Sequence, residues 1–164
     1  MPTTLRDVRP EDKAFLLNVY ASSRETEMAL VPWSNEQKQN FLASQFAAQD
    51  TDYRERRPDA DYKIVLLDDQ PIGRIYVQRE DDAIQIMDLT LLPEHRGAGI
   101  GTALLKRLLD EGAKLRKPVR IYVESFNPSL RLFGRLGFAP LGGDSINLLL
   151  EWRPAVGDGC QKEP

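Results

Sequence analysis

Residues 92–113 read LPEHRGAGIGTALLKRLLDEGA. Gly97, Gly99 and Gly101 fall within five positions, after an apolar run and before an apolar-periodic segment. Glycine weakens a helix, so its use at a helix mouth means a sharp turn or a close approach to the backbone. The segment that follows is a helix with one apolar side. Ile100, Leu104, Leu105, Leu108 and Leu109 form the stripe, and Lys106, Arg107, Asp110, Glu111 and Lys114 lie outside it. A helix start presents unpaired N–H groups and about half a positive charge. Glycines there let anion oxygens reach several amides at once, and Arg96 adds a formal charge at the entrance. Two readings stand, plain connection chemistry or an anion site, with pyrophosphate as the sharp form of the second. A P-loop would carry a Lys after Gly101, where Thr102 stands. A dinucleotide fold would place its glycines early in a parallel sheet.

The strands before this stretch are not parallel. Residues 62–92, YKIVLLDDQPIGRIYVQREDDAIQIMDLTLL, change to a period of two and read as three consecutive strands. Their turns fall at Asp68-Asp69-Gln70 and Glu80-Asp81-Asp82, connections short enough to force antiparallel neighbours. Farther upstream, TLRDV reads as a short strand and EDKAFLLNVYAS as a helix that buries Phe15, Leu16, Val19 and Tyr20. SRETEMALVPW is loop or short helix. SNEQKQNFLASQFAAQ is a helix, with Ser34 and Gln37 spaced as a capping box. Downstream come a strand, VRIYVES, and a short helix, NPSLRLFGRLG. In that helix Asn127 can cap, Pro128 sits at the first position and Gly137 ends the run. SINLLLEW closes the order β-α-α-β-β-β-α-β-α-β. Residues 1–153 are expected to form one domain and 154–164 a frayed tail.

Composition limits the class of function. The 164-residue chain is 41% hydrophobic and 29% charged with a net charge of −3, which argues against a nucleic-acid binder. No window is long and apolar enough for a membrane span, and no secretory signal is visible. The single cysteine, Cys160, excludes a disulfide framework and suits a reducing cytoplasm. One His and one Cys supply too few ligands for a zinc site, so no metal is expected.

LTLLPEHRGAGIGTALL resembles the acetyl-CoA motif of the GNAT N-acetyltransferase superfamily, Q/R-x-x-G-x-G/A, with Arg96, Gly99 and Gly101 at its fixed positions. VESFNPSLRLFGRLGF resembles the superfamily's second signature, roughly N-x-x-A-x-x-L-Y-x-x-x-G-F, and the likeness spans about residues 64–138. The fold this implies is α/β (α+β), a mixed, mostly antiparallel sheet of about six to seven strands flanked by four helices. The resemblance implies acetyl-CoA as cosubstrate and a primary amine, in a small molecule or a peptide, as acceptor. The pantetheine arm would pair with backbone of Leu89, Leu91 and Leu92, in an opening between that strand and the one at 121–124. The pyrophosphate would sit on Arg96, Gly97, Ala98, Gly99, Ile100, Gly101 and Thr102. Asn127 would contact the pantetheine or position a water, and the helix with Leu132 and Phe133 would pack beside the thioester.

The implied chemistry is direct attack of a neutral amine on the acetyl carbonyl. A backbone N–H near Leu89 or Leu91 would stabilise the oxyanion. Asp88, which interrupts IQIMDLTLL close to the expected thioester, is the first candidate base, and a solvated or structural carboxylate is the alternative. Glu124 is the second, against a strand-end salt bridge with Arg131 or Arg120. Glu25 and Glu27 lie where this architecture builds its acceptor site, although a solvated loop reads equally well there, and Trp33 would wall that pocket or else belong to the core. The chain departs from the family at Phe133, where the second signature often carries a Tyr that serves as acid. A CoA-binding regulator without turnover is therefore the competing function. Similar proteins often pair, so a homodimer stays open.

Overall fold

The computed structural model of this chain describes residues 3–125, 127 and 129–155. These residues form β1 (Thr3–Asp7), α1 (Lys13–Ser22), α2 (Glu25–Ala29), α3 (Asn35–Arg56), β2 (Asp61–Leu67), β3 (Gln70–Arg79) and β4 (Ile84–Leu91). They continue with α4 (Ile100–Leu115), β5 (Val119–Glu124), α5 (Leu130–Arg135), β6 (Ala139–Gly143) and β7 (Asn147–Trp152). Short 3-10 turns occupy Pro10–Asp12 and Pro93–His95. The sheet runs in the order β1-β2-β3-β4-β5-β7-β6. β4 and β5 are parallel, while the β1–β2, β5–β7 and β6–β7 pairs are antiparallel. The mixed, mostly antiparallel sheet expected from the sequence is therefore present. Two elements go beyond the expected order: the short helix α2, which makes five helices rather than four, and β6, which makes seven strands. Pro128, expected at the start of the short helix, and most of the expected tail, Cys160 included, lie outside the described residues.

Two compact units can be described separately. The first runs to Tyr76 and takes in Asp88–Ala98; the second holds Val77–Met87 and the chain from Gly99 onward. In the first unit, Leu16 and Tyr20 of α1, Leu42 and Phe46 of α3 and Ile64 of β2 make one buried cluster, with the Tyr20 and Phe46 rings 5.9 Å apart. The expected capping box starts α3: Ser34 Oγ accepts from Gln37 N at 3.1 Å, and Gln37 Oε1 accepts from Ser34 N at 2.8 Å. Arg6 of β1 grips Asp12 ahead of α1 through two bonds of 2.8 and 2.9 Å. The β2–β3 turn is the two residues Asp68-Asp69, both left-handed at φ 52° and 67°. Those angles give the turn whose twist matches a two-residue hairpin. Gly73 of β3 is needed for close approach, because a Cβ there would lie 2.3 Å from the Thr90 carbonyl oxygen of β4.

In the second unit, Leu104, Leu105, Leu108 and Leu109 of α4 are buried, as are Val119, Ile121 and Val123 of β5. Gly112 keeps α4 low on this layer, since a Cβ there would come within 3.0 Å of both Val119 and Trp152. Trp152 is thereby a packing residue within this unit. α4 stops at Arg116, which turns left-handed at φ 57°, and Lys117 N closes on the Gly112 carbonyl at 2.9 Å.

Candidate active site

The α4 start has the form that an anion site needs. Gly97 and Gly99 take φ of 78° and 84°. Gly99 occupies the cap position, where Ser, Thr, Asp or Asn is usual, and no side chain accepts from the first turn. No acidic residue lies in that turn either. The amides of Ile100, Gly101 and Thr102 are left without intrahelical partners, and Ala103 N is the first to find one, on the Gly99 carbonyl at 3.0 Å. A Cβ at Gly97 or Gly99 would meet nothing within 4 Å. The requirement for glycine is thus conformational, and the space beside both residues is open.

In the first unit, the end of β4 is braced from both sides. Leu92 N donates to the Ile72 carbonyl at 2.8 Å. Arg96 turns its Nε to the Leu91 carbonyl at 2.8 Å and its Nη2 to Ser22 Oγ at 3.4 Å. The guanidinium expected to add charge to the glycine turn thus ties β4 to the end of α1. Leu91 is buried, while Leu89 and Leu92 are half-buried.

Asp88 is paired rather than free, with its side chain 15% exposed. Its Oδ2 accepts from Arg74 Nη2 at 2.8 Å, and its Oδ1 accepts from the Thr90 hydroxyl at 2.6 Å. Arg74 is only 2% exposed; its Nη2 also reaches Gln49 Oε1 of α3 at 2.9 Å, and its guanidinium stands 4.8 Å from the Tyr76 ring centre. Tyr53 and Tyr62 close edge-on against Tyr76, with ring centres 5.9 and 4.9 Å away. Burial opposes the Arg74 charge, yet Asp88 and the tyrosines carry its pKa upward. Burial pushes the Tyr53 hydroxyl up too, and the Asp88 charge adds to that. Arg74 Nε and the Tyr76 hydroxyl are buried without a hydrogen-bond partner among the described residues. A carboxylate offers about four lone-pair sites, so Asp88 keeps acceptor capacity beyond these two bonds.

The remaining candidates divide between the units. In the second, Glu124 is half-buried at the end of β5, and Arg120, one of its expected partners, bonds Glu151 at 2.8 Å. Asn127 serves the backbone, its Oδ1 accepting from Ser129 N at 2.8 Å. Leu132 is half-buried. Phe133 is 6% exposed and packs edge-on against Phe138 at 5.3 Å, as a core residue would. In the first unit, Glu25 lines a cleft among α1, α2 and α3. Glu27 is exposed with an Arg24 contact of 3.4 Å, and Trp33 pairs with Phe41 at 5.3 Å on the surface. Sequence reasoning passed over Arg74, Gln49, Tyr53 and Thr90. The available signal was a charge inside the apolar strand PIGRIYVQ, but its partner stands fourteen positions away and follows only from hairpin register. Among the described residues, no group of three or more His, Cys, Asp or Glu is placed to hold a metal, and no helix is long and apolar enough to cross a membrane.

The sequence model described as the Acetyltransferase (GNAT) family matches residues 23–138. No curated protein matches the sequence. Among solved structures, the chain is similar to the PaiA N-acetyltransferase of Thermoplasma acidophilum in complex with coenzyme A, at 20% identity and TM-score 0.70, over 93% of this chain and 99% of that one. It is also similar to an acetyltransferase from Thermus thermophilus, at 18% identity and TM-score 0.67 over 93% and 97% of the two chains. A third is the ribosomal-protein-S18-alanine N-acetyltransferase from Escherichia coli, at 16% identity and TM-score 0.62 over 97% and 98%. At such identities the likeness is one of fold.

Proposed function

This chain belongs to the Acetyltransferase (GNAT) family, and from that premise we propose that it moves an acetyl group from acetyl-CoA to a primary amine by direct attack. The observation that carries the reading is the uncapped start of α4, opened by two left-handed glycines with free space beside them. Coenzyme A lays its pyrophosphate on the amides of residues 97–102, where the helix dipole favours negative charge. Its pantetheine arm runs along the backbone of Leu89, Leu91 and Leu92. Asn127 can offer its carboxamide N–H₂ to that arm, because its oxygen is already engaged.

In the transfer, the amine lone pair forms a C–N bond to the acetyl carbon and the C–S bond breaks. An amide N–H near Leu89 or Leu91 meets the oxygen on which charge develops. The proton shed by the amine goes to Asp88, held in place by Arg74 and Thr90, with Glu124 as the second candidate. Phe133 has no proton to give, so the thiolate leaves as such; a thiol pKa near ~8.5 makes it a fair leaving group. The same Phe133, packed on Phe138, favours one competing reading, a CoA-binding regulator that does not turn over.

Two measurements test this. Coenzyme A should raise the melting temperature of the wild-type protein, since a ligand that prefers the folded state stabilises it. Gly99→Val should remove that rise, because a branched side chain at φ 84° costs roughly 1–2 kcal/mol and fills the space the diphosphate needs. Undiminished CoA binding by Gly99→Val would overturn the cradle. Free thiol released from acetyl-CoA in the presence of an amine panel should then exceed the amine-free rate; binding with no release on any amine would leave the regulator.

A further inference from the structure

The first unit holds a cleft of about 420 Å³ among α1, α2 and α3, lined in part by Glu25. Its floor is apolar: Leu42 is 9% exposed, and Met28 packs on the Leu16–Phe46 cluster. Its walls carry one acid and one base, Glu25 from the start of α2 and Lys38 from α3. Neither side chain makes an ion pair or hydrogen bond with another described residue. The neighbouring acid of α2 behaves differently, since Glu27 meets Arg24 at 3.4 Å. A half-buried ammonium and an exposed carboxylate on the walls of one concave space suit a guest that brings both opposite charges.

The cleft is also joined to the reacting strand. Ser22 lines it, and Ser22 Oγ is the atom reached by Arg96, whose Nε holds the Leu91 carbonyl at 2.8 Å. One guanidinium thus spans from the cleft wall to the strand end proposed to carry the pantetheine arm.

We propose that this cleft binds the acceptor and that the acceptor is a small amine that also carries a carboxylate, an amino-acid-like zwitterion with an aliphatic part. The inference rests on the acetyl-transfer reading. Lys38 takes the carboxylate, Glu25 and Ser22 face the amine end, and Leu42 and Met28 receive the aliphatic part. In the step itself the bound ammonium first gives one proton to solvent; the neutral amine nitrogen then bonds to the acetyl carbon, the C–S bond breaks, CoA departs as thiolate, and the second proton passes from the nitrogen to Asp88. The product is an N-acetyl acid and has lost its positive charge. Glu25 then has no counter-ion, which favours release over retention.

The test is thiol release from acetyl-CoA with α-amino acids of aliphatic, polar and charged side chains, each beside its decarboxylated amine and its carboxamide. At least one amino acid should show kcat/KM about tenfold or more above both of its partners, the size expected for a charge-assisted hydrogen bond. Lys38→Gln, on a helix surface and checked for folding by circular dichroism, should raise KM for that acid about tenfold or more and leave the decarboxylated amine unchanged. Equal use of amines with and without the carboxylate, or a Lys38→Gln effect common to both, would overturn the zwitterion and leave acetyl transfer standing. No thiol release on any member, with CoA still stabilising the protein, would overturn acetyl transfer and this inference together.

Discussion

At the scale of single residues, the Arg74–Asp88 pair poses the sharpest question, because structure and chemistry compete for the same carboxylate. Arg74 is almost wholly buried, and Asp88 is its only carboxylate partner among the described residues. Removing one member of a buried pair strands the other, an effect of about 3–5 kcal/mol, whereas replacing both by apolar groups of similar volume is often neutral. Asp88→Asn alone would therefore lower activity whether or not Asp88 takes the proton. The informative variant is the double Arg74→Met/Asp88→Leu. In urea titrations its stability should lie within about 1–2 kcal/mol of the wild type, and each single variant should fall well below it. If Asp88 is the base, the folded double variant should lose at least about a hundredfold in turnover. Full turnover by the double variant would transfer the role to Glu124 or to water. None of this pairing was legible residue by residue. Asp88 stood out because it interrupts an apolar strand, but the sequence says nothing of which guanidinium lies opposite on the next strand or which α3 residues roof it.

At the scale of elements, legibility follows the strength of the local signal. α4 carries four buried leucines on one stripe and a glycine-opened start, and both read directly from residues 92–113. The capping box of α3 was visible in Ser34 and Gln37 for the same reason. β6 was not visible: all five of its residues are exposed, it contains a proline and two glycines, and its register shifts between Pro140 and Gly142. Such a strand exists because β7 offers it an edge, which is tertiary information. The cleft among α1, α2 and α3 was equally hidden, since it depends on how three helices pack rather than on any one pattern. The β2–β3 turn lies between these cases. Its position was evident, but Asp68 and Asp69 are poor residues for two successive left-handed angles, where Asn-Gly is preferred. Asp69→Gly should stabilise the protein by about 0.5–1 kcal/mol, or roughly 1–4 °C in Tm, because relief of the left-handed strain exceeds the added chain freedom. A calorimetric Tm at or below that of the wild type would mean that the aspartates earn their place through contacts elsewhere.

For the whole molecule, stability against pH sums what the individual charges imply. The Arg6 guanidinium holds the Asp12 carboxyl below its ordinary 3.8, and Arg79 holds the Glu111 carboxyl below its ordinary 4.5. A carboxyl lowered on folding adds stability that is complete above its unfolded value and is lost as pH falls through the folded one. Asp7 and Asp144 are lowered as well, by Lys63 and by backbone amides, but both are solvent-exposed and count for little. The tyrosines work in the opposite direction. Burial raises Tyr53, Tyr62 and Tyr76 above their ordinary 10.0, so the folded state keeps protons that the unfolded chain gives up. That contribution is complete below pH 10.0 and declines as pH climbs beyond it. The expected profile is a plateau that falls away below about pH 4.5 and above about pH 10. Urea midpoints across this range should trace it. Arg6→Met should shrink the acid-side loss by removing the pairing that Asp12 loses on protonation, and should leave the alkaline side unchanged, because Tyr53 and Tyr76 sit with Arg74 and Asp88 and Tyr62 with Arg54, none of them with Arg6. An alkaline limb that shifted with Arg6→Met would show that the two ends of the profile share a cause, and the separation between the Arg6–Asp12 clasp and the buried tyrosine cluster would fail.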